Sequence, residues 1–310
     1  MGNPHTLRGI IVPMVTPLTP SYQVDIESTQ RLVEYLLGQG AHGLFVGGTM
    51  GEGPALRLEQ KEVLVHTVVT QVRNRCPVIP VIAGHSNQEI IKGAIRLAQT
   101  GAGLLGIMQP YFFPRRDPDY LLNLMGELST TLSMDLLFYH NPVLTNYPLE
   151  GDTMRRILEQ DQVHALKDSS GRASLFHHLV ELGKTYGVEV FQGDESQIAG
   201  GLFYGAAGAI AGISTVFPKI PLKIYQASLK EDYIAALRLQ ERLNRLLRQL
   251  YGEKNKHWLT ATKYALQRLG VISSDISLTY PQLGPRGKYA VDRLLAEGIP
   301  AEYLPGGDRP

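Results

Sequence analysis

Short apolar runs alternate with longer amphipathic stretches along most of this chain. The apolar runs are rich in aliphatic residues and end in glycine, proline or serine, which is typical of buried strands. We predict strands over 9–15, 43–46, 78–83, 104–108, 135–139, 188–192 and 208–213, and another that starts at Val163 and contains Lys167. The stretches between them have apolar residues at helical spacing, as over 26–39, 58–74 and 175–186. This alternation favours a parallel sheet with crossover helices.

Eight predicted strands, each followed by a helical segment within roughly the first 230 residues, indicate an α/β fold of the (β/α)8 TIM barrel type. The rest of the chain predicts further helices over 233–250, 258–269 and 288–296. We therefore expect a barrel catalytic domain over 1–230 and a C-terminal helical region over 231–310. That region would pack on the barrel or on a second subunit.

The composition says more about the kind of partner that the protein binds than about its fold. The 310 residues carry a net charge of +1, which favours neither a nucleic-acid partner nor a membrane surface. The segment 198–218 contains no charged residue, but five glycines interrupt it, and it is more typical of a short helix, a turn and a buried strand than of a membrane span. The one cysteine, Cys76, excludes an intramolecular disulfide. The first residues show no basic-then-apolar signal pattern, so we expect a cytoplasmic protein.

A lysine interrupts the sixth apolar run. Lys167 follows Leu166 and stands directly before Asp168 and a Ser/Gly turn. Because an ammonium group is costly to bury, two uses are open: an ion pair, or a desolvated amine that forms a Schiff base with a carbonyl substrate. Side chains alternate along a strand, so Lys167 shares a face with Ala165, while Asp168 faces the other way and is a poor acid–base partner for it.

Other polar motifs also fall where predicted strands end, and these ends form the active face of a barrel. Tyr139 ends the strand next to that of Lys167, and its phenol is either a core residue or a proton relay. The turn Gly48-Thr49-Met50-Gly51-Glu52 offers backbone N–H groups and one hydroxyl, which suit a carboxylate but also an ordinary tight turn. In Gly193-Asp194-Glu195-Ser196, Asp194 is either a helix cap or a site residue.

The histidines show no metal-ligand spacing with nearby cysteine, aspartate or glutamate. The positions considered are His85, His177, His178 and His257. We therefore expect no metal site.

Taken together, these motifs resemble the pyruvate-type Schiff-base aldolases and lyases, the family that includes dihydrodipicolinate synthase and N-acetylneuraminate lyase. The resemblance covers about residues 8–218. It rests on the run 9–17, the turn 48–52, Tyr139 followed by Asn141-Pro142, Lys167-Asp168-Ser169-Ser170-Gly171, and Gly193-Asp194.

The resemblance implies that Lys167 attacks the keto carbon of pyruvate or another 2-oxo acid, and that the reaction uses this covalent Schiff base and no cofactor. It implies that Tyr139 moves protons, that Thr49 and Met50 hold the carboxylate of the 2-oxo acid, and that the carbonyl of Ile210 lies near the imine. We expect Lys167, Tyr139 and Thr49 to be catalytic. The residues expected to bind substrate are Gly48, Thr49, Met50, Asn141, Gly193, Glu195 and Ile210. The family commonly forms tetramers built from dimers, so we expect a homo-oligomer.

Three departures from the family pattern bear on the substrate. Met50 stands where the family usually has a second hydroxyl residue, and Phe112 stands where the synthases have a second tyrosine. Leu144 stands where the synthases have an arginine that grips the carboxylate of aspartate semialdehyde, and an unpaired buried charge costs several kcal/mol. These departures disfavour synthase activity and, since Ser196 replaces one residue of an acidic pair, sialic acid lyase activity.

Several polar groups suit a hydroxylated aldehyde instead. The candidates are His140, Asn141, Tyr147, Glu195 and Ser196, and Arg115 and Arg116 would oppose this interpretation if their loop folds inward. We expect an aldolase that cleaves or forms a 2-keto-3-deoxy sugar acid from pyruvate and an aldehyde. The alternatives are a Schiff-base dehydratase of such an acid, a dihydrodipicolinate synthase-like or N-acetylneuraminate lyase-like activity, and a barrel that only binds a 2-oxo acid.

Overall fold

The strands form a closed parallel barrel in the order in which they occur in the chain, β1 to β8. The computed structural model describes residues 7–112 and 118–304. The strands are β1 Gly9–Pro13, β2 Gly43–Val46, β3 Val78–Ile82, β4 Leu104–Met108, β5 Asp135–His140, β6 Val163–Asp168, β7 Glu189–Gln192 and β8 Gly208–Ala209. The predicted TIM barrel is therefore confirmed.

Helices connect the strands and continue beyond the barrel. The helices that follow the barrel strands are α1 Ile26–Gly38, α2 Leu58–Val72, α3 Asn87–Ala98, α4 Pro118–Thr131, α5 Pro142–Thr145, α6 Gly151–Leu158, α7 Ala173–Tyr186, α8 Ile198–Tyr204 and α9 Lys219–Leu229. Those that follow are α10 Tyr233–Tyr251, α11 Trp258–Arg268 and α12 Pro285–Arg293. Within the described ranges, no helix is both long and apolar enough to cross a membrane.

The alternation of side chains along the strands divides the core into two layers. Inside the barrel lie Ile11, Phe45, Val81, Leu137, Ala165 and Phe191. Between the strands and the helices lie their neighbours Ile10, Val12, Leu44, Val46, Phe138, Leu166 and Val190. A residue's place in this alternation therefore decides whether its side chain reaches the interior or the helical layer.

Two elements differ most from their predicted bounds. The eighth strand was expected over 208–213, but β8 ends at Ala209, and a 3₁₀ turn occupies Gly212–Thr215. The apolar composition continues through this turn because it is buried, and an apolar run does not reveal where strand pairing stops. The last helix was expected over 288–296. It instead starts at Pro285, a favourable first helical residue, and α12 ends at Arg293, after which a π-helical turn covers Leu294–Gly298.

The C-terminal helices pack on the barrel's own helices. Helix α10 contacts α8 and α9, and it also contacts α11 and α12. Gln240 of α10 accepts a hydrogen bond from the N–H of Ala199 at 2.9 Å and donates one to the carbonyl of Glu195 at 2.9 Å. The C-terminal region therefore holds the loop that follows β7. The domain boundary at residue 230 stays a prediction.

Candidate active site

Lys167 points into the barrel at the end of β6. Its side chain is 5% exposed, and Nζ lies 4.1 Å from the centroid of the Tyr139 ring and 4.6 Å from that of Phe45. Among the described residues, no carboxylate lies within ion-pair distance of Nζ. The amine is therefore buried against aromatic rings without a counter-ion, which leaves the Schiff-base interpretation open and removes the ion pair.

Tyr139 lies beside the lysine, because β5 and β6 pair with Tyr139 opposite Lys167. Its hydroxyl is 3.2 Å from Thr49 Oγ1 and accepts a hydrogen bond from Asn141 Nδ2 at 2.9 Å. Burial opposes ionisation of the phenol, but the ammonium of Lys167 and hydrogen bonds from Thr49, Asn141 and Ser169 outweigh it. The pKa of Tyr139 therefore lies below its usual value. Three predicted site residues, Thr49, Tyr139 and Asn141, thus form one hydrogen-bonded group.

Asp168 faces away from the lysine, as the strand alternation predicts. Its carboxylate accepts a hydrogen bond from His140 Nδ1 at 2.6 Å and another from the Ser170 hydroxyl at 2.8 Å. His140 is fully buried, and its other ring nitrogen accepts the N–H of Leu149 at 3.4 Å. His140 was a candidate substrate contact, and this expectation is wrong, because it is the residue after Tyr139 and so points to the helical layer.

The turn after β2 is a tight loop whose conformation depends on glycine. A Cβ atom at Gly53 would lie 1.7 Å from the carbonyl oxygen of Gly47, so the chain can close here only with glycine. Among the described residues, no acceptor is paired with the N–H groups of Thr49 and Met50. The turn therefore presents two free donors beside the Thr49 hydroxyl, which is suitable for binding a carboxylate.

Glu52 anchors this turn to the C-terminal region, a role that the sequence analysis missed. Oε1 accepts from Lys263 Nζ at 2.5 Å, and Oε2 accepts from the N–H groups of Leu278 and Thr279 at 2.7 and 3.0 Å. The hydroxyls of Ser277 and Thr279 also donate to Oε2, at 2.6 and 2.9 Å. Burial opposes ionisation of Glu52, but Lys263 and these hydroxyls prevail and hold its pKa below the usual range. No short-range pattern links residues 211 positions apart, so the sequence gives no signal for this pair.

The loop after β7 brings Glu195 to the barrel mouth. Oε2 of Glu195 accepts the N–H of Ile213 at 2.6 Å. Asp194 accepts from the N–H and hydroxyl of Ser196 at 2.9 and 2.7 Å, so it is a cap and not a substrate ligand. Gly193 donates its N–H to the carbonyl of Asp168 at 2.7 Å, which ties this loop to β6.

Ile210 lies one residue beyond β8 and remains attached to the barrel. Its N–H donates to the carbonyl of Gln192 at 2.9 Å. The residue is 1% exposed, and no described donor is paired with its own carbonyl. The predicted contact of this carbonyl with the imine therefore fits its surroundings and stays a prediction.

A cavity of about 400 Å³ adjoins Thr49 at the barrel mouth. Barrel loops and the C-terminal region both supply its walls. The lining residues are Thr49, Glu52, Pro54, Ala55, His85, Met108, Tyr111, Leu144, Trp258, Thr279 and Tyr280. Among these described residues, none is an arginine or a lysine, so this lining offers no guanidinium or ammonium group to a second carboxylate.

The structure shows where the residues that depart from the family pattern lie. Met50 is buried and Leu144 is half exposed in the cavity wall. Phe112 is 72% exposed and has a left-handed backbone, with φ of 73°. Arg115 and Arg116 lie outside the described residues. Across the part of the chain that the structure describes, no three histidine, cysteine, aspartate or glutamate side chains form a group suited to a metal ion.

Comparisons with known proteins agree on one family. The model of the dihydrodipicolinate synthetase family matches residues 6–289. A 4-hydroxy-tetrahydrodipicolinate synthase of Legionella pneumophila (strain Corby) is 26% identical over 288 residues, 93% of this chain and 97% of that protein. One from Cereibacter sphaeroides is 27% identical over 292 residues, 93% of this chain and 98% of that protein. The solved dihydrodipicolinate synthase of Bacteroides thetaiotaomicron has a TM-score of 0.87 and 29% identity, covering 95% of this chain and 99% of that one.

Proposed function

Since the chain belongs to the dihydrodipicolinate synthetase family and is a lyase of that family, we propose that Lys167 forms an imine with pyruvate or another 2-oxo acid in a class I aldolase reaction. The observation that carries this proposal is the environment of Lys167. Its amine is buried between two aromatic rings with no described carboxylate to neutralise it. Within the described residues the amine is thus not held in an ion pair, and it lies at the barrel mouth, where it can attack the keto carbon of a 2-oxo acid.

The turn at Thr49 would hold the carboxylate of the 2-oxo acid. The free N–H groups of Thr49 and Met50, together with the Thr49 hydroxyl, provide three donors. Since Met50 has no hydroxyl, a bound carboxylate has one donor fewer than in relatives with serine or threonine there. The expected cost is about 1 kcal/mol of binding free energy.

Tyr139 would move protons during imine formation. Its phenolate would accept a proton as the amine adds to the keto carbon, and the phenol would return one as the hydroxyl of the carbinolamine leaves as water. The lowered pKa of Tyr139 supports this, because it makes the phenolate easier to reach. The iminium then withdraws the electron pair of the bond between C3 and C4 of the substrate, so the reaction needs no separate cofactor.

For the second substrate we propose a hydroxylated aldehyde, so that the full substrate is a 2-keto-3-deoxy sugar acid. The absence of arginine and lysine from the described cavity lining supports this, as does Leu144 in the cavity wall. Tyr280 supplies a hydroxyl group, and the ring of Trp258 supplies a flat apolar surface of the kind that packs on the C–H face of a sugar. The resemblance also supports a homodimer or homotetramer in the cytoplasm.

Borohydride trapping tests the proposal directly. Incubation with pyruvate and borohydride is expected to add one reduced pyruvate to the peptide that contains Lys167, as read by mass spectrometry. A panel of aldehydes, each with pyruvate, then identifies the second substrate, and we expect hydroxylated aldehydes to exceed aspartate semialdehyde. No adduct on Lys167 would disprove the imine, and a preference for the semialdehyde would disprove the substrate class. Dehydrated oxo acid without aldehyde would indicate the dehydratase.

A further inference from the structure

The side chain of Asn141 reaches the hydroxyl of Tyr139 from the residue just after β5. Its Nδ2 donates to the Tyr139 oxygen at 2.9 Å, and the residue is 7% exposed. Because side chains alternate along an extended chain, Asn141 lies on the same side as Tyr139. His140, between them, points outward and is hydrogen-bonded to Asp168 at 2.6 Å. The amide is therefore held beside the phenol from both directions.

A second hydrogen bond sets the orientation of this amide. Asn141 is the N-cap of α5, and its Oδ1 accepts the N–H of Leu144 at 3.3 Å. Turning the amide over would place its NH₂ group against that N–H, donor against donor. The cap therefore leaves the N–H groups of Asn141, and not its oxygen, to face the phenol.

Thr49 and Asn141 differ in what they can do for the phenol. Thr49 Oγ1 lies 3.2 Å from the Tyr139 oxygen and can donate or accept, so it can follow the phenol as it gains and loses a proton. The amide N–H of Asn141 can only donate. Because a donor bonds more strongly to a charged oxygen than to a neutral one, Asn141 favours the phenolate.

The other neighbours of the phenol favour the same state. Lys167 Nζ, in β6, lies 4.1 Å from the centroid of the Tyr139 ring, and its ammonium is the charged group that acts on the phenol. Burial opposes ionisation, but Lys167 and three hydrogen bonds outweigh it and hold the pKa of Tyr139 below its usual value. These bonds come from Thr49, Asn141 and Ser169.

We propose that Asn141 is a positioning residue for Tyr139, whose oxygen it holds as a proton acceptor while Lys167 forms the imine. This inference rests on the proposed Schiff-base function and gives Asn141 a task there other than contact with substrate. Asn141 acts only through the phenol.

The proton transfers that Asn141 assists balance. The pair begins as the ammonium of Lys167 and the phenolate of Tyr139, and the phenolate takes one proton to free the amine. The amine pair then bonds to the keto carbon of pyruvate, the C=O pair moves to oxygen, and the phenol protonates that oxygen. The phenolate takes a second proton from the nitrogen and gives it to the new hydroxyl, which leaves as water while the nitrogen pair forms C=N. Tyr139 ends as the phenolate beside the iminium, and the amide of Asn141 keeps its own protons.

The test measures the pKa of Tyr139 and the rate of imine formation in the same variants. Asn141→Ser keeps an N-cap oxygen for α5 but removes the donor to the phenol. Thr145→Val is the matched control, because it removes the bond from the buried Thr145 hydroxyl to the backbone carbonyl of Asn141, at 3.1 Å. NMR of the tyrosine Cζ carbons follows the titration, with the Tyr139 signal assigned by its loss in Tyr139→Phe.

In Asn141→Ser the pKa of Tyr139 is expected to rise. Imine formation with saturating pyruvate at neutral pH, quenched by borohydride at successive times, should slow by roughly tenfold. The rate should recover as the pH rises through the new pKa, whereas base would not reverse a loss of folded protein. Thr145→Val should match the wild-type protein in both measurements. A wild-type titration or rate in Asn141→Ser, or equal changes in Thr145→Val, overturns the inference.

Asn141→Asp tests the same bond if serine disturbs the turn. One carboxylate oxygen can still cap α5, but the other accepts where Nδ2 donated, so the phenol is expected to keep its proton. Imine formation should slow more than in Asn141→Ser, by roughly 10²-fold, and a smaller effect than that of serine contradicts the assignment. If the wild-type protein forms no pyruvate adduct, the Schiff-base function fails, while the titration of Tyr139 still decides whether Asn141 acts on the phenol.

Discussion

Two of the buried lysines in the described part of the chain, Lys263 and Lys167, have different partners. Lys263, in α11, has no exposed surface and donates to Glu52 at 2.5 Å and to the carbonyl of Ile276 at 2.7 Å. Lys167, in β6, is 5% exposed and contacts two aromatic rings but no described carboxylate. The same side chain is thus neutralised in one place and left without a counter-ion in the other.

The difference teaches that the partner, and not burial, separates a structural lysine from a candidate nucleophile. Removing either partner of a buried ion pair destabilises the folded protein, because the other charge stays buried. Replacing an amine that has no such partner leaves no opposite charge buried. The two positions are also linked, because Glu52 connects Lys263 to the turn that would hold the substrate of Lys167.

The largest expected effect is on activity at Lys167. Lys167→Met is expected to lower turnover by at least about 10⁴-fold, because it removes the amine that is proposed to form the imine. The free energy of unfolding in urea should stay the same or rise, since a buried unpaired amine is replaced by an apolar side chain of similar size. Steady-state kinetics, borohydride trapping and urea unfolding check the three parts. A variant that still traps pyruvate at another lysine would contradict the assignment.

The matched variant at Lys263 should show the reverse pattern. Lys263→Met leaves the Glu52 carboxylate buried without its cation and is expected to cost about 3–5 kcal/mol of unfolding free energy. The pyruvate adduct on Lys167 should remain, although KM for pyruvate should rise because the turn at Thr49 is less firmly held. Replacing both partners, with Glu52→Gln and Lys263→Met, should cost less than the single change at Lys263. If unfolding free energies show no coupling between the two positions, the pair does not act as the anchor.

The smallest expected effect is the pH dependence of stability. The pKa of Glu52 is lower in the folded chain than in the unfolded chain. Its stabilising contribution is therefore complete above the unfolded pKa, near 4.5, and is lost as the pH falls through the folded pKa. Urea unfolding of the wild-type protein should show this loss in acid, and Glu52→Gln should show less of it. An equal loss in both proteins would assign the acid sensitivity to other groups.

The positions of Lys167, Asp168 and Tyr139 in the site could be predicted from local patterns. Period-two alternation places Lys167 inside the barrel and Asp168 outside it, and the adjacency of β5 and β6 brings Tyr139 to the amine. The same rule, applied to His140, would have excluded it as a substrate contact. The end of β8 could not be predicted, because buried turns and buried strands share an apolar composition.

By itself, the sequence determined the barrel, the positions at its mouth and the candidate nucleophile, because these depend on periodicity and on short motifs at the ends of strands. Only the tertiary structure decided which buried charges are paired. Glu52 meets Lys263, and Glu195 lies beside Tyr251, through contacts made after α10 and α11 pack against the barrel. Such pairings join residues that are far apart in the chain, and their free energy depends on distance and burial that no local pattern encodes.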